Sequence, residues 1–97
     1  MARVTYTDNA LANLERVFEF TAERDASGAG AAVSAIRSGL EILANHPYVG
    51  RQIEGELREL IISHGRTGYL ALYRYLAATD EAQALAIRHQ RELDYPV

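Results

Sequence analysis

No cysteine and no lysine occur in the 97 residues, there are only two prolines, and no apolar run nears the length of a membrane span. Without cysteine there are no disulfides, thiolate metal sites or thiol catalysis, which fits a reducing compartment. A bilayer-spanning helix needs about 20 consecutive apolar residues, so none is expected. The opening residues, MARVTYTDNA, lack the apolar core of a signal peptide, and a cytoplasmic location is expected. Positive charge is not in excess: ten basic against thirteen acidic side chains leave −3 at neutral pH. Indiscriminate binding to phosphate backbones, which a basic surface drives, is therefore not expected. All ten basic residues are arginine. Codon bias is the simple reason, but Arg is also the side chain that grips a carboxylate or phosphate with a two-pronged fork.

Site signatures are sparse as well. There is no G-x-G-x-x-G or G-x-x-x-x-G-K-[ST] loop to cradle phosphates, and no serine in a nucleophile-elbow context. His46, His64 and His89 are too far apart for metal-ligand spacing, and the acidic residues form no evident pair. Neither a cofactor nor a metal is expected.

What is present is ordinary globular composition, 48% apolar and 24% charged, enough for one domain over residues 1–97. Arg3 to Thr7 alternates in the manner of a short strand. Thr7 or Asp8 can cap a helix over about Asp8 to Arg24, with Leu11, Leu14 and Phe18 as its apolar stripe, widened by Val17. Glu15, Glu19 and Glu23 mark its solvated face. After a turn at 25–28, a second helix runs from about Ser27 to Asn45 on Val33, Ile36, Leu40 and Leu43, and Pro47 ends it. Its small residues, Ala29, Ala31, Ala32, Ala35 and Gly39, suit a close approach between the two helices. His46 to Gly55 reads as a loop, with His46 a capping or loop residue.

Leu57 to Tyr95 then reads as three strands. LRELIISH leads into a hairpin turn at Gly65–Gly68 with His64 at its mouth, Tyr69 to Leu76 is the second strand, a polar turn follows, and Gln83 to Arg88 is the third. Asp94 to Val97 should be a tail. The expected fold is α+β, in the order β-α-α-β-β-β, with an N-terminal helical hairpin packed on a small antiparallel sheet. Along Tyr69–Leu76, Tyr69, Ala71, Tyr73 and Tyr75 share one face, and Leu70, Leu72 and Leu76 share the other with Arg74. Both faces are apolar, yet one helical hairpin covers only one; a partner protein should cover the second at least in part, the alternatives being that the helices wrap the edge or the tail folds back.

His89 sits between Arg88 and Arg91, with Tyr95 close behind. A neutral imidazole there could act as a base while Arg holds a phosphate, as RNA cleavage requires. The alternative is that Arg91 pairs with Glu92 or Asp94 and His89 fills space at a strand end.

The helical hairpin ending in HPYVGR, followed by LRELII, GYLALYRY and LAIRHQRELDY, resembles the RelE/ParE superfamily of bacterial toxins from type II toxin–antitoxin systems. The resemblance spans nearly the whole chain. It rests on Pro47 with Gly50 and Arg51, Leu57-Arg58-Glu59-Leu60, Gly68-Tyr69 with Tyr73-Arg74, and Ile87 through Glu92. It implies one of two mechanisms. RelE-like members cut mRNA on the ribosome without metal, using basic residues on the sheet and a C-terminal His or Tyr. ParE-like members poison DNA gyrase. Both are silenced by an antitoxin whose C-terminal segment wraps the toxin, which would cover the second face of the sheet.

Nucleases of the family tend to carry Arg directly after the Gly-Tyr of the sheet, where this chain has Leu70, and charge where this chain has Ile61, Ile62 and Ser63. The resemblance is thus closer to a ParE-like toxin of a plasmid-stabilisation module, inhibiting gyrase by protein contact. The alternatives are a RelE-like mRNA endoribonuclease using His89, Arg91 and Tyr95, or a degenerate toxin that only binds its antitoxin. Under the first reading, Arg66, Arg74, Arg88 and Arg91 are candidates for target contact. Leu70, Leu72, Arg74 and Arg58 are candidates for the antitoxin. No membrane, and no sequence-specific DNA binding by this chain alone, is implied.

Overall fold

A computed structural model describes residues 1–96, and Val97, the last residue of the expected tail, lies outside them. The element order is β1 (Arg3–Tyr6), α1 (Asp8–Arg24), α2 (Ala29–Glu41), a single 3₁₀ turn (Ile42–Ala44), β2 (Arg51–Glu54), β3 (Leu57–His64), β4 (Thr67–Leu76) and β5 (Glu81–His89). The expected β-α-α-β-β-β order holds, with two additions. Arg51–Glu54, read as loop, is a four-residue strand, and the sheet is mixed, in the order β1-β5-β4-β3-β2. β2 through β5 are antiparallel neighbours, whereas β1 lies parallel to β5 with Arg3 opposite Glu81.

Local chemistry accounts for the boundaries. Thr7 is the residue that caps α1: its Oγ1 accepts the Ala10 N–H (3.1 Å) and satisfies a donor of the first turn. The β3–β4 reversal is a two-residue loop, Gly65-Arg66. Only Gly65 needs a positive φ (+60°), as the first position of a tight hairpin turn does. Gly68, expected to share that role, lies inside β4 instead.

The core lies between the helices and one face of the sheet, built from Leu14, Val17, Ile36, Leu40 and Leu43 against Ile62, Tyr69, Ala71, Tyr73, Ala84 and Ile87. Two expectations about the helices change. The buried stripe of α1 is Ala10, Asn13, Leu14 and Val17, while Leu11 and Phe18 are exposed. A polar residue takes a core position because β1 ends opposite Ala84 and leaves the upper edge of β5 unpaired. There the Asn13 Oδ1 accepts the Ile87 N–H (2.8 Å), and the Leu85 carbonyl accepts from Thr7 Oγ1 (3.2 Å) and Asn9 Nδ2 (3.0 Å). Side chains of α1 thus complete a strand edge that β1 is too short to cover. Gly39 serves helix–sheet rather than helix–helix packing, since a Cβ there would lie 2.9 Å from Ile62 Cγ1.

Candidate functional site

The sheet has one face under the helices and one away from them. Tyr69, Ala71 and Tyr73 are buried on the helix side, while Leu70, Leu72 and Arg74 are half-buried on the other. In register with them on this open face stand Ile61 opposite Leu70, Glu59 opposite Leu72, and Arg88 on β5 opposite Leu70. Ile61 is 73% exposed.

The tail supplies part of the missing cover. After β5 the chain turns back, and the Asn9 side-chain amide donates to the Pro96 carbonyl (3.0 Å). Tyr95 thereby lands on the open face. Its hydroxyl donates to Glu59 Oε2 (2.7 Å), and the Arg88 guanidinium lies 5.1 Å from its ring centre. The Glu59 carboxylate is 9% exposed and also accepts from Arg51 (2.9 Å), with Arg88 at 4.0 Å. The Tyr95 hydrogen bond, followed by Arg51 and Arg88, holds its carboxyl below the usual glutamate range, against the opposing effect of burial. Tyr95 is pushed in the other direction, above the ordinary tyrosine value, by burial and by the same carboxylate. Glu59 is the charged centre of the open face, and sequence reasoning missed it. The available signal was an acidic residue alternating with Leu57 and Ile61 on one parity of a strand.

His89 is on the opposite side. Its ring meets Tyr69 edge-on at 5.4 Å on the helix face. Its Nδ1 accepts the Arg91 N–H (3.1 Å), and its Nε2 contacts Thr67 Oγ1. An accepting Nδ1 leaves the ring hydrogen on Nε2, where it donates to the threonine. The strand exit is clamped by Glu92. Its two carboxylate oxygens accept from a single guanidinium nitrogen of Arg16 on α1, Nη2 (3.0 and 2.9 Å), and Oε1 also accepts the His89 N–H (3.0 Å), while its carbonyl accepts from Arg88. Above this clamp a cleft of about 440 Å³ opens between α1 and the ends of β4 and β5. Arg91 lines it, and among the described residues it forms no ion pair.

The structure therefore does not gather the predicted residues into one site. His89 and Arg91 share the cleft, but Tyr95 is across the sheet from them. Strand alternation alone separates Arg88 from His89, because neighbours on a strand point to opposite faces. Leu70, Leu72 and Arg74 do share the open face, where Arg74 Nε donates to Gln83 (2.9 Å). Arg58 does not join them. It pairs across from the buried Tyr73 and donates to the carbonyls of Tyr48 (3.0 Å) and Gly50 (2.9 Å), tying down the loop before β2. Arg66 is exposed at the hairpin tip, far from the others in the register. Among the described residues no three potential metal ligands cluster, and no helix is long and apolar enough to cross a membrane.

The HPYVGR segment has a packing explanation. The Tyr73 hydroxyl accepts the Gly50 N–H (2.9 Å) and donates to the Pro47 carbonyl (2.8 Å), fixing the loop that leads into β2. No side chain fits at Gly50, whose Cβ would lie 2.6 Å from the Tyr73 ring.

Residues 4–94 match the family described as the ParE toxin of the type II toxin–antitoxin system parDE. A curated relative, toxin RelE3 of Caulobacter vibrioides, is 33% identical over 92 residues, covering 95% of this chain and 98% of that protein. A solved structure titled as a chromosomal ParDE toxin–antitoxin system from P. aeruginosa has the same fold. It superposes with a TM-score of 0.75 over 92% of this chain and 96% of that one, at 22% identity.

Proposed function

Because this chain belongs to the ParE family of type II toxin–antitoxin toxins, we propose that it arrests growth by protein contact with DNA gyrase and not by cutting RNA. The observation that carries this reading is the separation of His89 from Tyr95 by the thickness of the sheet. A general base and a general acid acting on one phosphodiester must both lie within about 3 Å of the reacting atoms, and these two cannot. Other features point the same way. Arg88 and Arg51 stand beside Glu59, so the open face offers a phosphate little uncompensated charge. Leu70 and Ile61 make its upper part apolar.

A cognate antitoxin is the family's partner, and Leu70, Leu72 and Arg74 are its proposed seat beside Tyr95. The cytoplasm is the proposed compartment, since both targets reside there. The RelE-like reading, ribosome-dependent mRNA cleavage, is favoured by the name of the Caulobacter relative. The two separate cleanly. Purified toxin should inhibit supercoiling by gyrase, and His89→Ala should remain as toxic as the parent when expressed without antitoxin. Codon-dependent mRNA cleavage that His89→Ala abolishes, with gyrase unaffected, would overturn the proposal. Absence of growth arrest by the parent would identify a degenerate toxin.

A further inference from the structure

The cleft between α1 and the ends of β4 and β5 is unused by the function proposed above. Its chemistry is specific. One wall is apolar, made by Val17, the buried Tyr69 and Phe20, which is 53% exposed. Arg24 and Arg91 stand on its rim, exposed and without an ion pair among the described residues, and the Arg24 guanidinium lies 4.4 Å over the Phe20 ring. The third arginine of the cleft, Arg16, is already paired with Glu92, whose two carboxylate oxygens both accept from its Nη2. On a chain carrying −3, an apolar slot with two unpaired guanidiniums stands out locally as positive.

We propose that this cleft seats an acidic peptide segment of a partner protein: a bulky apolar side chain enters against Val17, Phe20 and Tyr69, and flanking carboxylates engage Arg24 and Arg91. About 440 Å³ holds a few side chains, not a folded domain. Arg pairs with carboxylates in bidentate fashion, and one apolar anchor ringed by charge is the usual anatomy of a short-segment interface. A peptide is favoured over RNA because a polyanion must approach the net negative chain, whereas a segment with two carboxylates and an apolar anchor matches the cleft alone. The inference rests on the reading of this chain as a protein that works through protein contacts. It assigns to the helix side a second docking surface, separate from Leu70 and Leu72.

The test is selection of a random peptide library on the immobilised full chain, followed by titration of the enriched peptides. Peptides pairing Asp or Glu with Leu, Ile or Phe should be enriched, and Arg24→Glu or Arg91→Glu should weaken them roughly tenfold or more, since each removes a charge-assisted contact and adds repulsion. Phe20→Ser should weaken them as well, while Arg66→Glu, at the hairpin tip, should stay within about twofold. All four positions are exposed, and thermal melts check that each variant folds. Enriched peptides without acidic residues, binding that survives Arg24→Glu with Arg91→Glu, displacement by single-stranded RNA of similar length, or no enrichment would each overturn the proposal. The selection uses neither gyrase nor living cells. A failed selection with gyrase inhibition intact sinks only the cleft, and a successful one without inhibition sinks only the gyrase reading.

Discussion

Tyr73 and Gly50 form a coupled pair whose energetics follow from the structure. Replacing Tyr73 by Phe keeps the fully buried ring and removes one oxygen, which accepts from Gly50 N–H at 2.9 Å and donates to Pro47 at 2.8 Å. Gly50 is buried, so its N–H loses its partner with no water to replace it, at a cost of about 1–3 kcal/mol. The Pro47 carbonyl, only half-buried, rehydrates and adds little. A central value of about 2 kcal/mol corresponds to a fall in Tm of roughly 8–16 °C for a domain of this size. Gly50→Ala attacks the same contact from the other side. The new Cβ would sit 2.6 Å from Tyr73 Cε1, 2.8 Å from its hydroxyl and 3.0 Å from the Glu59 carbonyl oxygen. The ring has no free space to retreat into, so overpacking costs about 1–3 kcal/mol and the hydrogen bond stretches or breaks. Because each change disrupts the same bond, the double variant should be less destabilised than the sum by about 1 kcal/mol. Urea unfolding of the four proteins measures all of this. A loss below about 0.5 kcal/mol in Tyr73→Phe, or strict additivity, would refute the role assigned to this pair.

Four further outcomes are expected. The depressed Glu59 carboxyl contributes stability that is present above its unfolded value and lost as pH falls through about 4.5 and below, so Glu59→Gln should flatten the acid limb of a stability–pH profile. Tyr95 has the opposite sign: its neutral hydroxyl is favoured in the fold, so its contribution disappears as pH rises above about 10, and Tyr95→Phe should remove that alkaline loss. Asn13→Leu leaves the Ile87 N–H unpaired, costing about 1–3 kcal/mol, and should speed amide exchange at Ile87 more than at Ala71 on the neighbouring strand. Gly39→Ala should destabilise although it gains about 1 kcal/mol in helix propensity. The new methyl meets Ile62 Cγ1 at 2.9 Å, and the change should turn neutral or favourable in an Ile62→Ala background, read by the same urea titrations.

Elements whose formation is local were legible in the sequence. The 3.6-residue rhythm and Thr7 place α1 at Asp8–Arg24, and glycine marks the β3–β4 reversal. The phase of α1 was not legible, because Asn13 is a core residue only in view of a strand edge 74 residues away. β2 escaped notice because all four of its residues are exposed and show no alternation. The parallel β1–β5 pairing is fixed by no local signal at all. At the site, the residue types of the tail were legible, whereas their placement was not. It takes strand parity to separate His89 from Arg88, and the backward turn of the tail to carry Tyr95 to Glu59. Arg58 looked like a surface contact and is instead a loop tie, a role visible only once Tyr48 and Gly50 come near it.

The parallel ladder between β1 and β5 also bears on how the chain is made. The first strand finds its neighbour only when the last has been synthesised, and the bond from Thr7 to Leu85 closes a separation of 78 residues. On the ribosome α1 and α2 can pair early, but the sheet is left without its border until the final segment has emerged. A prematurely terminated product that lacks β5 loses the strand that joins β1 to β4, the seat of His89 and the route of the tail together. For a chain of a toxin family, completion of the fold therefore waits on β5, since without it β1 has no neighbour in the sheet.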